Sequence, residues 1–534
     1  MTRPEPLKKN DPLVWSPGTG VEVWDMFRAA MAGDVDTLRQ LLDKNAALVR
    51  CMYEYRTPLY FAVRENQVQA AALLLERGAD PAKGLIHDTL LVMARDRGYT
   101  QMQQLLEDRL GVSPQGAAIF AAILDRDVAR VRSLLGAAPE ALHAADERKN
   151  KPIHWAVMTR QVDLIDELVA RGADLNAPRS DGARPIQLTS GDYFHRGWRD
   201  VPEEGVPTPA EVLAHLRARG AYCDICTAAS IGDMSRVKDL LSQDPALANR
   251  VSDYVTYYAC SGAPLRNAAA EGHMEIVKLL LEHGADPNLP EEGIAPHGGA
   301  LYAAVAGGHF EIAQLLLERG ANPSAAVESS ADCLSRAINR GDQKMVDILA
   351  SYGASRSVEI MAYYGDLRTA AAVFAANPSL ANDPEALSNA AREGQDAFVR
   401  LMLRYQPDLA RRVAVAAKTG KLTEYLFERG MDPSRSDWLG ITPLHRFAQS
   451  GDLENAALFV ERGASVDARD EELWSTPLGY AAKAGKVAMV EMLLARGAKT
   501  NLPDDPEWAT PLAWATRRGH ADVVEMLRQA AAKA

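Results

Sequence analysis

Cysteine is scarce in this chain. Five occur in 534 residues, an odd number without regular spacing, which argues against a disulfide framework and reads as reduced thiols in a cytoplasmic protein. Positive charge is in deficit too: 71 acidic residues against 59 basic ones leave a formal net charge of -12. A nucleic-acid backbone or an anionic membrane is therefore not expected as the principal partner. Long hydrophobic runs are missing, none approaching the length of a membrane span. The opening stretch MTRPEPLKKNDPLVWSPGTG is basic and Pro-rich but lacks an apolar core, so as written it is no secretory signal. What the chain does have is 47% hydrophobic and 24% charged residues, enough apolar surface for a fully globular protein.

A repeat organises that surface. The tetrapeptides RGAD at Gly78, RGAD at Gly172, HGAD at Gly284, RGAN at Gly320, RGAS at Gly463 and RGAK at Gly497 each close an apolar stripe. In MEIVKLLLEHGAD, Ile276, Val277, Leu280 and Leu281 fall on one helical face, and Gly284 ends the helix in a left-handed conformation. Upstream of such stops lies a shorter apolar helix opened by Pro: TPLYFAV at Thr57, KPIHWAV at Lys151, TPLHRFA at Thr442, TPLGYAA at Thr476 and TPLAWAT at Thr510. Pro suits a first helical turn, and the preceding Thr can cap the free amides. The unit is helix, turn, longer helix, Gly stop, loop.

This unit resembles the ankyrin-repeat family, with its T-P-L-H-x-A signature and period of about 33 residues. About sixteen such units cover nearly the whole chain, which implies an all-α ankyrin-repeat solenoid in which each helix pair covers its neighbours. We divide it into an N-terminal extension (1–21), repeats with long loops (22–330), degenerate repeats with short loops (331–432), and near-consensus repeats with a C-terminal cap (433–534). The degenerate units should still be helix pairs, without protruding fingers. One long insert, 189–207, falls between the two helices of the sixth unit.

The resemblance implies that the inter-repeat finger loops and first helices make the ligand contacts, so unusual finger residues become the candidates. RCMYEYR supplies Tyr53, Glu54, Tyr55 and Arg56; SDYVTYYACSGAPL supplies Asp253, Tyr254, Tyr257 and Tyr258; PEEGIAPHGGA supplies Glu291 and His297. Trp155 lies on a first helix. Trp438, Trp474 and Trp508 recur near equivalent fingertip positions, each beside a carboxylate. Such aromatics form either a contact surface or a row of indoles each packed against the next finger. The insert GDYFHRGWRDVPEEGVP offers Tyr193, His195 and Trp198 as a lid over the groove, or serves as an ordered surface loop.

Chemical motifs dissolve on inspection. Cys223 and Cys226 form a C-x-x-C, but Cys226 takes an apolar helix position and no second ligand pair accompanies it, so core packing is the reading. His154 and His445 at the signature position, and His273, His309 and His520 in the inter-helix turns, read as structural hydrogen-bonders. No catalytic residue, cofactor or metal is assigned. The expected function is non-catalytic binding of a protein partner through the concave face and aromatic fingers. The alternative is a carbohydrate or small-ligand binding protein, or a glycoside hydrolase, using finger carboxylates such as Glu54, Asp146, Asp253 and Glu291.

Overall fold

The computed structural model describes residues 1–13, 16–82, 89–189, 204–253, 260–289, 299–325 and 331–532. Among these, regular structure is helical and β pairing is limited to isolated bridges. The thirty α-helices among the described residues form fourteen antiparallel-type pairs and two units in which only the second helix is α, so the sixteen-unit reading and the all-α solenoid hold.

The Pro-opened helices begin as their sequences dictate. Thr57 accepts the Tyr60 N–H at 3.2 Å through its hydroxyl, with Pro58 in the first turn of Pro58–Arg64. In the TPLH unit the imidazole does the work of a cap. His445 Nδ1 accepts the Thr442 N–H at 3.1 Å, so Nε2 carries the proton and donates to the Ser475 carbonyl of the next repeat at 3.2 Å. His154 repeats this, with 3.0 Å to Lys151 N and 2.9 Å to the Ala177 carbonyl. The turn histidines His273, His309 and His520 place Nε2 within 3.0 to 3.2 Å of carbonyls of the preceding unit. These side chains are structural, and each ties one repeat to another.

The longer helices end at left-handed glycines. Gly78 and Gly463 have φ of 97° and 98°, and a Cβ there would meet nothing within 4 Å. Backbone conformation alone therefore demands glycine at these stops. The predicted stripe of Met274–Glu282 is oriented as its spacing requires: Ile276, Val277 and Leu280 are buried and Leu281 is partly so. Burial of each such side chain stabilises the fold by about 1.5–3 kcal/mol, and no repeat has a core of its own without its neighbours.

Two compact units result. One consists of residues 6–95 and 99–355; the other of residues 1–5, 96–98 and 356–534. In the second, Phe374 meets Phe398 and Tyr405 edge-on at 6.2 and 5.8 Å. The three degenerate repeats are helix pairs, Cys333–Asn339 with Gln343–Ser351, Val358–Tyr364 with Leu367–Ala376, and Pro384–Glu393 with Asp396–Tyr405.

Two units depart from the pattern. In the sixth, Pro185–Leu188 is a single 3-10 turn, with Gln187 standing where others carry His; its side-chain oxygen accepts the Arg184 N–H at 2.7 Å. Most of the following insert, 190–203, lies outside the described residues, as do Tyr193, His195 and Trp198. In the thirteenth unit, residues 413–419 carry no helix, yet Val415 and Ala417 remain buried. The Thr423 hydroxyl accepts the Ala417 N–H at 3.0 Å, giving this irregular backbone a partner.

Candidate functional site: the finger loops

The finger Tyr53–Arg56 is a tight hairpin. Tyr53 N–H donates to the Arg56 carbonyl at 3.1 Å and Arg56 N–H to the Tyr53 carbonyl at 3.0 Å. Both tip residues are left-handed, Glu54 at φ 45° and Tyr55 at φ 65°. A two-residue turn of this kind normally carries Asn-Gly or Gly-Gly, and an L side chain there costs roughly 1 kcal/mol or more. Arg56 Nη1 donates to the Glu54 carbonyl at 2.8 Å and closes the tip. Tyr53 is half-buried, its phenol pushed up to about 12 by burial and then by the Glu54 carboxylate. Tyr55 projects outward, 48% exposed.

The C-terminal fingers are built differently. Asp470 is buried and its carboxylate accepts the N–H groups of Glu472 and Leu473, both at 2.6 Å, and of Ser475 at 3.0 Å. Burial raises the Asp470 carboxyl above its ordinary range, and those backbone donors pull it back. Asp437 accepts the Leu439 and Ile441 N–H groups at 3.0 and 2.9 Å. Asp146 does the same for Arg148 and Asn150 at 2.8 and 2.9 Å. These aspartates stand just ahead of the Lys151-Pro, Thr442-Pro and Thr476-Pro openings. Their regular placement was the available signal that they shape the finger rather than bind across it.

The three fingertip tryptophans have three fates. Trp438 is buried at 7% exposure; its carbonyl accepts the Thr2 N–H at 3.0 Å, and the neighbouring Leu439 carbonyl accepts Glu471 N–H from the next finger at 2.8 Å. Trp508 is half-buried. The Arg97 guanidinium lies 4.5 Å from its ring centroid and Trp514 meets it edge-on at 6.1 Å. Trp474 is the outward one, 37% exposed and left-handed at φ 51°. For Trp438 and Trp508 the geometry is that of indoles packed within the array. Sequence reasoning did not reach Arg97, because no repeat motif marks it.

Trp155 also turns inward. It is 7% exposed, and its Nε1–H donates to Asp146 Oδ2 at 3.0 Å, tying the first helix Pro152–Met158 to its own finger. Asp253 is exposed and paired, 2.9 Å from Arg250 and 3.7 Å from Arg184. Tyr254, Tyr257, Tyr258, Glu291 and His297 lie outside the described residues. The C-x-x-C cysteines are buried. Burial lifts the Cys223 thiol to about 11 and the Cys226 thiol well above its usual range, so both are held as neutral thiols. At the C-terminal end, Arg517 lies 4.4 Å from the Trp514 centroid and Arg518 pairs with Asp96 at 2.7 Å.

Comparison with known proteins agrees with this architecture. A model described as "Ankyrin repeats (3 copies)" matches residues 225–327, 265–362, 412–504 and 467–534. One described as "Ankyrin repeat" matches residues 54–83 and 149–180. Among curated proteins, the "Ankyrin repeat protein nuc-2" of Neurospora crassa is 24% identical over 51% of this chain and 26% of its own length. The "Putative ankyrin repeat protein FPV240" of Fowlpox virus is 25% identical over 29% of this chain and 32% of its own. The "E3 ubiquitin-protein ligase XBAT32" of Arabidopsis thaliana is 43% identical over 12% of each. The chain thus spans about a third or less of the relatives it matches. No helix among the described residues is long and apolar enough to cross a membrane. Repeats of this kind generally mediate protein–protein interaction, and the chain belongs to the ankyrin-repeat family.

Proposed function

We propose that this chain is a non-catalytic interaction module that holds a protein partner, with Tyr55 and Trp474 as contact residues at two fingertips. The observation that carries this reading is the pairing of exposure with strain. Each is a large aromatic in a left-handed conformation that glycine would adopt more easily, and each leaves much of its ring in water. Core packing does not explain keeping either residue there, whereas rigid aromatic anchors at low entropic cost are what protein interfaces use. Glu54, Tyr53 and Arg56 flank the first anchor.

The glycan alternative finds no support of this kind. Asp146 is engaged by its own finger, and Asp253 by Arg250. Similarity covering 12% of a ubiquitin ligase carries none of that protein's activity across.

Photo-crosslinking tests the proposal. Benzoylphenylalanine at position 55 or 474 should form a specific adduct with a protein partner in cell extract, while the same group at exposed Leu124 should not. Identical adducts from all three positions, or none from the fingertips, would overturn it.

A further inference from the structure

The seventh repeat carries a pocket that the fingertip reading does not use. It is a small crevice, with about 40 Å³ of space for water-sized groups, or about 350 Å³ when counted out into open solvent. Leu240, Leu247 and Val251 form an apolar wall, while Asp224 and Ser252 add polar groups and Tyr222 stands at the rim, 44% exposed.

Two features are out of keeping with a merely structural crevice. Ser252 is 6% exposed, and its hydroxyl oxygen, itself closed to solvent, has no hydrogen-bond partner among the described residues. Leaving such a group buried and unpaired costs about 1–3 kcal/mol. Asp224 is the second. One of its oxygens accepts the Thr227 N–H at 2.7 Å and caps the short helix Ile225–Ser230, yet burial holds its carboxyl above the ordinary range. Arg250 and Arg184 both pair with Asp253, and Arg184, which also lies over the Tyr222 ring at 5.0 Å, acts on Asp224 through its charge without pairing with it.

We infer that this pocket binds an alkylammonium group, its methylenes against Leu240, Leu247 and Val251 and its head between Asp224 and the Ser252 hydroxyl. The chemistry fits on three counts. An ammonium supplies three donors and no acceptor, which suits a carboxylate and a hydroxyl lone pair. Its stem is apolar. Asp253 is taken up by Arg250 and Arg184, which leaves Asp224 as the lining carboxylate without an ion pair among the described residues. The source is either a lysine side chain of the partner, which rests on the proposed function, or a free amine.

The test uses the full chain, isotopically labelled, with amide shifts of Thr227 and Ser252 as the readout. N-acetyl-lysine methylamide should bind at millimolar concentration and its isosteric norleucine counterpart should not. Asp224→Asn preserves the helix cap, since Asn caps as well as Asp, and should weaken binding by about tenfold or more, as expected for loss of a charge-assisted hydrogen bond. Ser252→Ala should weaken it by a smaller factor. Tighter binding of the lysine derivative than of n-butylammonium assigns the pocket to a partner's side chain; the reverse assigns it to free amines. Equal binding of norleucine and lysine derivatives, unchanged binding by Asp224→Asn, or no shifts at all would overturn the inference. Tyr55→Ala should leave pocket binding unaltered, so failure of the fingertip reading and failure of the pocket are distinguishable.

Discussion

The fingers at Tyr53–Arg56 and at Asp470–Ser475 both lift an aromatic into solvent on a left-handed backbone, but they are held by different means. The first is closed by two main-chain hydrogen bonds and the Arg56 side chain. The second is organised around a buried carboxylate that accepts three amides, and it is bonded to the preceding finger through Leu439. An anchor on a hairpin closed by its own backbone can adjust within that hairpin. An anchor on a finger wired to its neighbour moves only if the neighbour moves, so the rigidity needed for low-entropy binding is local at Tyr55 and shared at Trp474.

The largest effect that can break this contrast comes from Asp470→Ala. Three amides lose a buried acceptor, and destabilisation of about 3 kcal/mol is expected in the phase reporting residues 356–534 of a urea titration. Arg56→Ala, which removes the bond to the Glu54 carbonyl among the contacts of a half-buried side chain, should cost about 1 kcal/mol. Similar losses from the two variants would show that the fingers are held alike.

Acid comes next. His445 supports the Thr442 opening beside the Asp437 finger, and burial pushes its imidazole down to about 4 from an ordinary 6.5. Between those values the unfolded chain binds a proton that the folded one refuses. Stability should therefore fall as pH drops from about 6.5 towards 4, by up to about 3 kcal/mol. Asp470 works the other way: its raised carboxyl takes up a proton in the folded state first and offsets part of the loss at the acid end. The sixth repeat already shows a neutral substitute in Gln187. His445→Gln should flatten the acid slope while keeping stability at pH 7.5 within about 1 kcal/mol. An undiminished slope would place the proton uptake elsewhere.

How far the sequence carried these conclusions depends on how local each cause is. The repeat count, the Thr and His caps and the glycine stops were legible because each depends on residues a few positions apart, and many copies agree. The missing first helix at 413–419 was not, since VAVAAKT has the apolar content of a helix and only the buried positions of Val415 and Ala417 disclose its irregular path. Fingertip exposure was the least legible. Trp438, Trp474 and Trp508 stand near equivalent positions, two residues before the Thr-Pro opening for the last two and four for the first, but what covers each depends on distant residues: Thr2 bonds beside the first and Arg97 lies over the third. Trp155 read as a groove residue, and only the bond to Asp146 explains why it faces inward.

The smallest effect separates the two anchors themselves. Replacing either by glycine relieves a left-handed L residue, worth roughly 1 kcal/mol, and removes whatever the ring buries. Tyr55 is 48% exposed and Trp474 37%, and the indole is the larger ring, so Trp474 loses more packing. Tyr55→Gly should then raise stability by about 0.5 kcal/mol, whereas Trp474→Gly should be neutral or slightly destabilising, both read from denaturant midpoints. If Tyr55→Gly instead lowers stability by several kcal/mol, the phenol is part of the core and its place at the tip needs no partner to explain it. A gain in stability joined to loss of crosslinking at neighbouring Glu54 would mark Tyr55 as a residue kept for contact at the expense of the fold.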